Sequence, residues 1–224
     1  MRPQLSGPAS VALVPTGGGG VLAAGDAAIG VAWSTSKVPV AIAALRERPT
    51  AATLKDVGAA IRHSDNDAAE RLWSGLGAGV QASAAVEAVL RDAGDRDTEV
   101  PAERIRPPYT AFGQTQWATP RAAAFASRLQ CLRGAEPVLA GMRDVSGTQQ
   151  WGFWSVDGAA VKGGWGPERG GYLVRQIAVV PGGSGSVGVA ALVRATSFEA
   201  GQRDMNTIAK WVENYLDTLG GTCG

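Results

Sequence analysis

Apolar and polar residues change their spacing twice along the chain, dividing it into three stretches. Near the start, residues 10–14 form an apolar run closed by Pro15, residues 17–20 are all glycine, and residues 21–24 resume an extended pattern. This predicts a hairpin. The apolar segment 38–45 reads as a buried helix ended at Pro49. The middle stretch then takes a helical period. Thr53 is read as the cap of a helix with Leu54, Val57 and Ile61 on one face. A second helix runs over 67–73, a loop over 75–79, and a third helix over 80–93 with Val86, Val89 and Leu90 inward. Residues 92–119 show little periodicity, and a connection this long in a folded chain is usually functional. Thr119-Pro120 opens a further helix carrying Phe125, Leu129 and Cys131, with proline at a favoured first-turn position. From Gly152 the period returns to that of strands. Residues 153–156, 159–162, 172–180 and 186–194 are predicted as extended, separated by glycine-rich turns at 157–158, 163–171 and 182–185. An amphipathic helix over 198–219, with Ile208, Trp211, Val212 and Tyr215 inward, closes the chain.

Strands, helices, strands, helix is the order of an α+β protein: an antiparallel sheet flanked by helices, with a helical subdomain beside it. The expected division is one domain whose α/β part spans about 1–48 and 150–224 and whose helical part spans about 49–149. The bulk numbers fit this. The 224 residues are 45% hydrophobic and 18% charged, which belongs to a folded chain. A net charge of +1 argues against a nucleic-acid or membrane-surface partner captured by charge. No apolar run approaches the roughly 20 residues that span a bilayer. Residues 1–5 carry no apolar signal segment, so either the protein is intracellular or a secretion signal is missing from this sequence. Cys131 and Cys223 either form a disulfide, which would point outside the cytosol, or are two buried thiols. His63 is the sole histidine, which excludes a multi-histidine metal site.

The chemistry-bearing residues lie at three places. Ser34-x-x-Lys37 sets a hydroxyl and an amine at i and i+3, on one face of a helix. A buried lysine loses proton affinity, and a neutral amine within hydrogen-bond reach activates a serine hydroxyl. Ser64-Asp65-Asn66 opens the helix over 67–73, and Lys162-Gly163-Gly164 ends a strand of the late sheet. Alone, Ser34-x-x-Lys37 fits an ordinary helix start.

In this order and these contexts the three motifs resemble those of penicillin-recognising serine enzymes, class A β-lactamases most closely. Residues 63–69 are similar to that family's Ser-Asp-Asn helix start. Ala118-Thr119-Pro120 resembles the close of its omega loop, and Glu168-Arg169-Gly170 its turn between sheet strands. The resemblance implies a serine acyl-enzyme hydrolase that needs no cofactor and acts on a small molecule or peptide, β-lactam or cell-wall-peptide-like. It implies a secreted or cell-envelope location. Ser34 would be acylated and Lys37 would help activate it. Ser64 would relay a proton to the leaving nitrogen, assisted by Lys162, and Asn66 would bind the substrate's amide. The backbone N–H groups of Ser34 and Trp165 would form the oxyanion hole, with Gly163 and Gly164 beside the substrate. His63 becomes a packing residue.

Three departures bear on turnover. Lys-Gly-Gly stands where the family has Lys-Thr-Gly or Lys-Ser-Gly, so Gly163 lacks a hydroxyl that helps hold a substrate carboxylate. The late strand at 186–189 lacks the arginine that binds that carboxylate in many members; Arg175 and Arg194 are candidate substitutes or solvated surface residues. Glu103 lies where a deacylating glutamate is expected, but Pro107 stands in place of its asparagine; the alternative for Glu103 is a surface ion pair with Arg104 or Arg106. Three readings follow: a hydrolase weak at β-lactam turnover, a true class A β-lactamase with Glu103 as base, and a non-catalytic binding module of the same shape. The aromatics and amides of 109–117 either line a pocket or pin their loop. Trp165 is expected to border the cleft.

Overall fold

The computed structural model describes residues 4–26 and 29–224; the three N-terminal residues included in the signal-segment reading lie outside them. Strands β1 (Ala9–Pro15), β2 (Leu22–Gly25), β5 (Ala160–Glu168), β6 (Gly171–Gly182) and β7 (Gly185–Ala195) form one antiparallel sheet in the order β2-β1-β7-β6-β5. The first hairpin thus joins the late strands through β1, whose Leu13 pairs with Val189. Strands β3 (Ile29–Val31) and β4 (Gln116–Ala118) form a separate two-stranded ribbon.

The near-continuous apolar runs of β1, β6 and β7 follow from burial on both faces. Alternate residues point to opposite sides of a strand. Val11, Leu13, Val161, Val180 and Val193 pack with Met205, Ile208, Ala209 and Val212 of α7 (Phe198–Leu216). Ala12, Val14, Ile177, Val179 and Ala190 pack into the other core with the remaining helices. Those helices are α1 (Lys37–Glu47), α2 (Ala51–Arg62), α3 (Asn66–Gly75), α4 (Gly79–Asp92), α5 (Thr119–Arg128) and α6 (Glu136–Arg143). Helix α5 lies directly on β7. A Cβ built on Gly188 would stand 2.0 Å from the Ser127 backbone nitrogen, so glycine there admits the close approach. Among the described residues no helix is long and apolar enough to cross a membrane.

Several elements differ from the sequence expectation. Thr50, not Thr53, caps α2: its Oγ1 accepts from the Thr53 N–H at 3.2 Å. Residues 153–156 are not a strand; 153–155 belong to a 3-10 turn, Gly152–Ser155, and Val156 follows as its end cap. The expected turn over 163–171 shrinks to Arg169-Gly170; β5 runs to Glu168, and Gly163, Gly164 and Gly166 sit inside it. Tyr215 is exposed rather than inward. The irregular stretch before α5 holds β4 and a 3-10 turn at Phe112–Gln114, and α6 follows where no helix was expected. Cys131 and Cys223 form a disulfide joining the segment after α5 to the C-terminal tail.

Candidate active site

Ser34 lies where β3 delivers the chain into a 3-10 turn, Trp33–Ser36, that feeds α1. Trp33 holds a φ of 47°, a left-handed conformation rare for a bulky residue. The turn is braced internally: Thr35 Oγ1 donates to the Ala32 carbonyl and Ser36 Oγ to the Trp33 carbonyl, both at 2.6 Å. Such strain persists only where surrounding structure over-determines it, and it clusters at functional sites.

Lys37, the first residue of α1, is 1% exposed. Its Nζ donates to the Ser64 carbonyl at 2.5 Å, to Asn66 Oδ1 at 2.8 Å and to Ser64 Oγ at 3.3 Å. Burial lowers its proton affinity to a pKa of about 8, against an upward pull from the Asp65 carboxylate. Ser64 bridges α2 and α3 in a left-handed conformation with φ 57°. The next residue, Asp65, caps α3 by accepting from the Ala68 N–H at 2.7 Å. That cap explains why α3 starts at Asn66 and why the Asn66 side chain faces Lys37. From the sheet side comes Lys162 on β5, fully buried, whose Nζ donates to Ser64 Oγ at 2.9 Å and to the Gly163 carbonyl at 2.9 Å. Gln149 Oε1 stands 3.4 Å from the same nitrogen. Burial, then the neighbouring Lys37, pushes the Lys162 amine well below the usual lysine range. The Ser64 hydroxyl therefore lies between two amines.

Ser34, Lys37 and Asn66 open onto one cleft of about 680 Å³, walled by Trp33, Tyr109 and Trp165. Among the described residues no group hydrogen-bonds Ser34 Oγ; the Ser34–Lys37 bond expected from the spacing is not formed, because Lys37 Nζ is turned to Ser64 and Asn66. Strand β5 forms the other wall. A Cβ on Gly164 would fall 2.8 Å from the Ser34 backbone nitrogen and 2.9 Å from that of Thr35. A Cβ on Gly166 would fall 2.3 Å from the Trp33 ring. Glycine at these positions lets the edge strand lie against the serine turn. At Gly163 a Cβ would meet the Trp151 ring at 2.5 Å, so a threonine or serine hydroxyl is kept out by an aromatic cluster of Trp151, Trp165 and Phe198.

Two residues named from the sequence do not join this cluster. Arg175 neither binds at the cleft nor lies on the surface. It is fully buried, with NH1 donating to the Gly30 carbonyl at 3.0 Å and the Trp117 carbonyl at 3.2 Å, and burial lowers its pKa to about 9. Glu103 lines a different groove, with Val100, Ile105 and Gln116, and pairs with neither arginine beside it. Arg104 instead pairs with Glu70 at 2.9 Å, and Arg106 donates to the Pro167 carbonyl at 2.9 Å. Arg194 is held by Glu168 at 2.9 Å. His63 caps the end of α2 and is exposed, not a packing residue. Of the 109–117 aromatics, Tyr109 and the buried Phe112 line the cleft, Tyr109 meeting Trp33 edge-on at 4.9 Å, whereas Trp117 is buried away from it. Gln149, Glu70 and Trp151 carry no motif in the sequence; only the tertiary contacts identify them.

No protein-family model and no curated protein sequence matches the chain. Solved structures do. A β-lactamase from Xanthomonas campestris superposes with a TM-score of 0.72 at 19% identity, covering 94% of this chain and 92% of that one. A class A β-lactamase from Mycobacterium abscessus gives a TM-score of 0.67 at 20% identity, covering 93% and 95%. A β-lactamase from Sphaerobacter thermophilus gives 0.71 at 18% identity, covering 96% and 94%. With agreement over nearly the whole of each chain, the fold is that of the β-lactamases.

Proposed function

We propose that the protein is a serine acyl-enzyme hydrolase in which Ser34 attacks an amide, lactam or ester carbonyl. The observation carrying this reading is the Ser64 hydroxyl bridging Lys37 and Lys162 at 3.3 and 2.9 Å beneath the cleft onto which Ser34 opens. Neutral Lys37 takes the Ser34 proton as Oγ bonds to the carbonyl carbon. The oxyanion is met by the backbone N–H groups of Ser34 and Trp165, donors of a kind whose loss costs about 3–4 kcal/mol. As the carbon–nitrogen or carbon–oxygen bond breaks, the proton returns through Ser64 to the leaving atom, with Lys162 favouring the negative charge that develops there. Asn66 orients the substrate's amide, and Gly163, Gly164 and Trp165 border it.

Deacylation is the slow half of the cycle. Glu103 lies outside the cleft, and of the cleft carboxylates Glu70 is tied to Arg104. Turnover of β-lactams is accordingly weak. The natural substrate is a small molecule or peptide, and the Cys131–Cys223 disulfide fits a location outside the cytosol. The test is intact-protein mass spectrometry after incubation with a penicillin or a reactive ester. An adduct on the wild type that is absent from Ser34→Ala is expected. No difference between the two overturns the proposal and leaves a binding module.

A further inference from the structure

Resting on the serine-enzyme reading, we infer that this cleft takes acyl donors without a carboxylate beside the reacting group: neutral or cationic esters and amides carrying an aromatic or other flat apolar portion. The cations around the cleft carry the argument. Lys37 has three N–H bonds and directs them to the Ser64 carbonyl, Ser64 Oγ and Asn66 Oδ1. Lys162 directs its three to Ser64 Oγ, the Gly163 carbonyl and Gln149 Oε1. Neither amine keeps a donor for a ligand anion. Arg104 is neutralised by Glu70. Arg106 lies over the rings of Tyr109 and Trp33 at 4.8 and 5.7 Å, with a donor on the Pro167 carbonyl. Arg175 is buried under β3 and β4, and Arg194 is paired with Glu168. Arg169, on the turn after β5, does not line the cleft.

Negative charge, by contrast, reaches the cleft without a salt bridge, with only the longer-range charge of Arg71 set against it. Asp67, in the first turn of α3, lines the cleft and has no ion-pair partner among the described residues; Arg71, one helical turn on, is committed to Asp56 at 2.7 Å. A ligand carboxylate would enter beside Asp67 and find Arg104 already paired with Glu70, Arg106 laid over the Tyr109 and Trp33 rings with a donor on the Pro167 carbonyl, and no hydroxyl at position 163, where the Trp151 ring stands. Like charge disfavours such an entry, whereas a neutral or cationic group pays no such cost. The walls suit a flat apolar ligand. Trp33, Tyr109, Trp165 and Tyr172 border the cleft, and Trp165 is held upright by stacking on Phe198 at 4.6 Å.

The experiment compares benzylpenicillin with its methyl ester, which differ at the carboxylate. The second-order rate of Ser34 adduct formation is measured by mass spectrometry for each and divided by that reagent's rate with hydroxide. The ester is expected to lead by about tenfold, and Asp67→Asn is expected to narrow the gap by raising the rate of the free acid. A free acid that reacts as fast as the ester, or faster, overturns the inference while leaving the serine chemistry intact. Absence of a Ser34-dependent adduct from either reagent overturns the serine-enzyme reading and this inference together.

Discussion

Burial of Lys37 sets a pH dependence for acylation that can be worked out in advance. In the proposed mechanism Lys37 is the general base, and an amine base acts only when neutral. With its pKa lowered from 10.5 to about 8, roughly a tenth of the amine is neutral at pH 7, against about one part in three thousand for an unperturbed lysine. The perturbed environment thus supplies about 300-fold more of the reactive form at neutral pH. The acylation rate should climb about tenfold between pH 7 and pH 9 and then level, following the deprotonated fraction. A second perturbation fixes the assignment. Asp65 raises the Lys37 proton affinity through its charge and also caps α3. Asparagine caps a helix as well as aspartate does, so Asp65→Asn removes the charge and keeps the helix start. The midpoint should then move to lower pH. The assay is the pseudo-first-order rate of Ser34 labelling by a reactive ester from pH 6 to pH 10, corrected for spontaneous hydrolysis. A flat profile, a midpoint near 10.5, or an upward shift in Asp65→Asn would refute Lys37 as the base.

Gly164→Ala sets a methyl 2.8 Å from the Ser34 nitrogen. It should slow labelling by about 10²–10³-fold through loss of oxyanion alignment and destabilise the fold by about 1–3 kcal/mol in urea unfolding. Reducing the Cys131–Cys223 disulfide, which closes a sequence separation of 92 residues, should lower stability by up to about 4–5 kcal/mol. In calorimetry that is a fall in Tm of about 10–15 °C for a chain of this size. Glu103→Gln should leave both acylation and adduct decay within about twofold of wild type by time-resolved mass spectrometry, since surface changes away from a site are usually near neutral.

The three motifs were legible because each rests on local chemistry. Ser34 lies in the 3-10 turn that feeds α1 and Lys37 is the first residue of that helix, and Asp65 announces α3 as a helix cap. The late strands carry a period of two and were readable where they are apolar. What escaped depends on distant partners. Glycine in a sequence reads as a turn, yet Gly163, Gly164 and Gly166 are strand residues whose missing side chains make room for Trp151, the serine turn and Trp33. Arg175 looks like a surface or ligand-binding cation until three backbone carbonyls, those of Gly30, Val31 and Trp117, are seen to surround its NH1. Glu103 stands at the right distance along the chain, but a loop containing Pro101, Pro107 and Pro108 does not carry it into the cleft.

The placement of Ser34 follows from constraints on every side of its turn. Upstream, β3 pairs with β4, and Arg175 reaches from β6 to the carbonyls of Gly30 and Val31, tying the strand that precedes the turn to the main sheet. Downstream, the chain passes straight into α1, whose residues are buried from Lys37 to Leu45. Laterally, the glycines of β5 bring the sheet edge within contact of the Ser34 and Thr35 nitrogens. A turn held at both ends and along one flank has little freedom to relax. That is the condition under which Trp33 keeps its left-handed backbone. The same reasoning extends to Ser64, the one residue between the end cap of α2 and the cap of α3. Both serines therefore sit on turns fixed by backbone geometry, and in the proposed mechanism proton transfer falls to Lys37 and Ser64 while Lys162 acts through its charge. On that proposal the site does without an imidazole: two lysine amines hold the Ser64 hydroxyl, and burial is the largest influence on both amines, ahead of Asp65 on Lys37 and of Lys37 on Lys162.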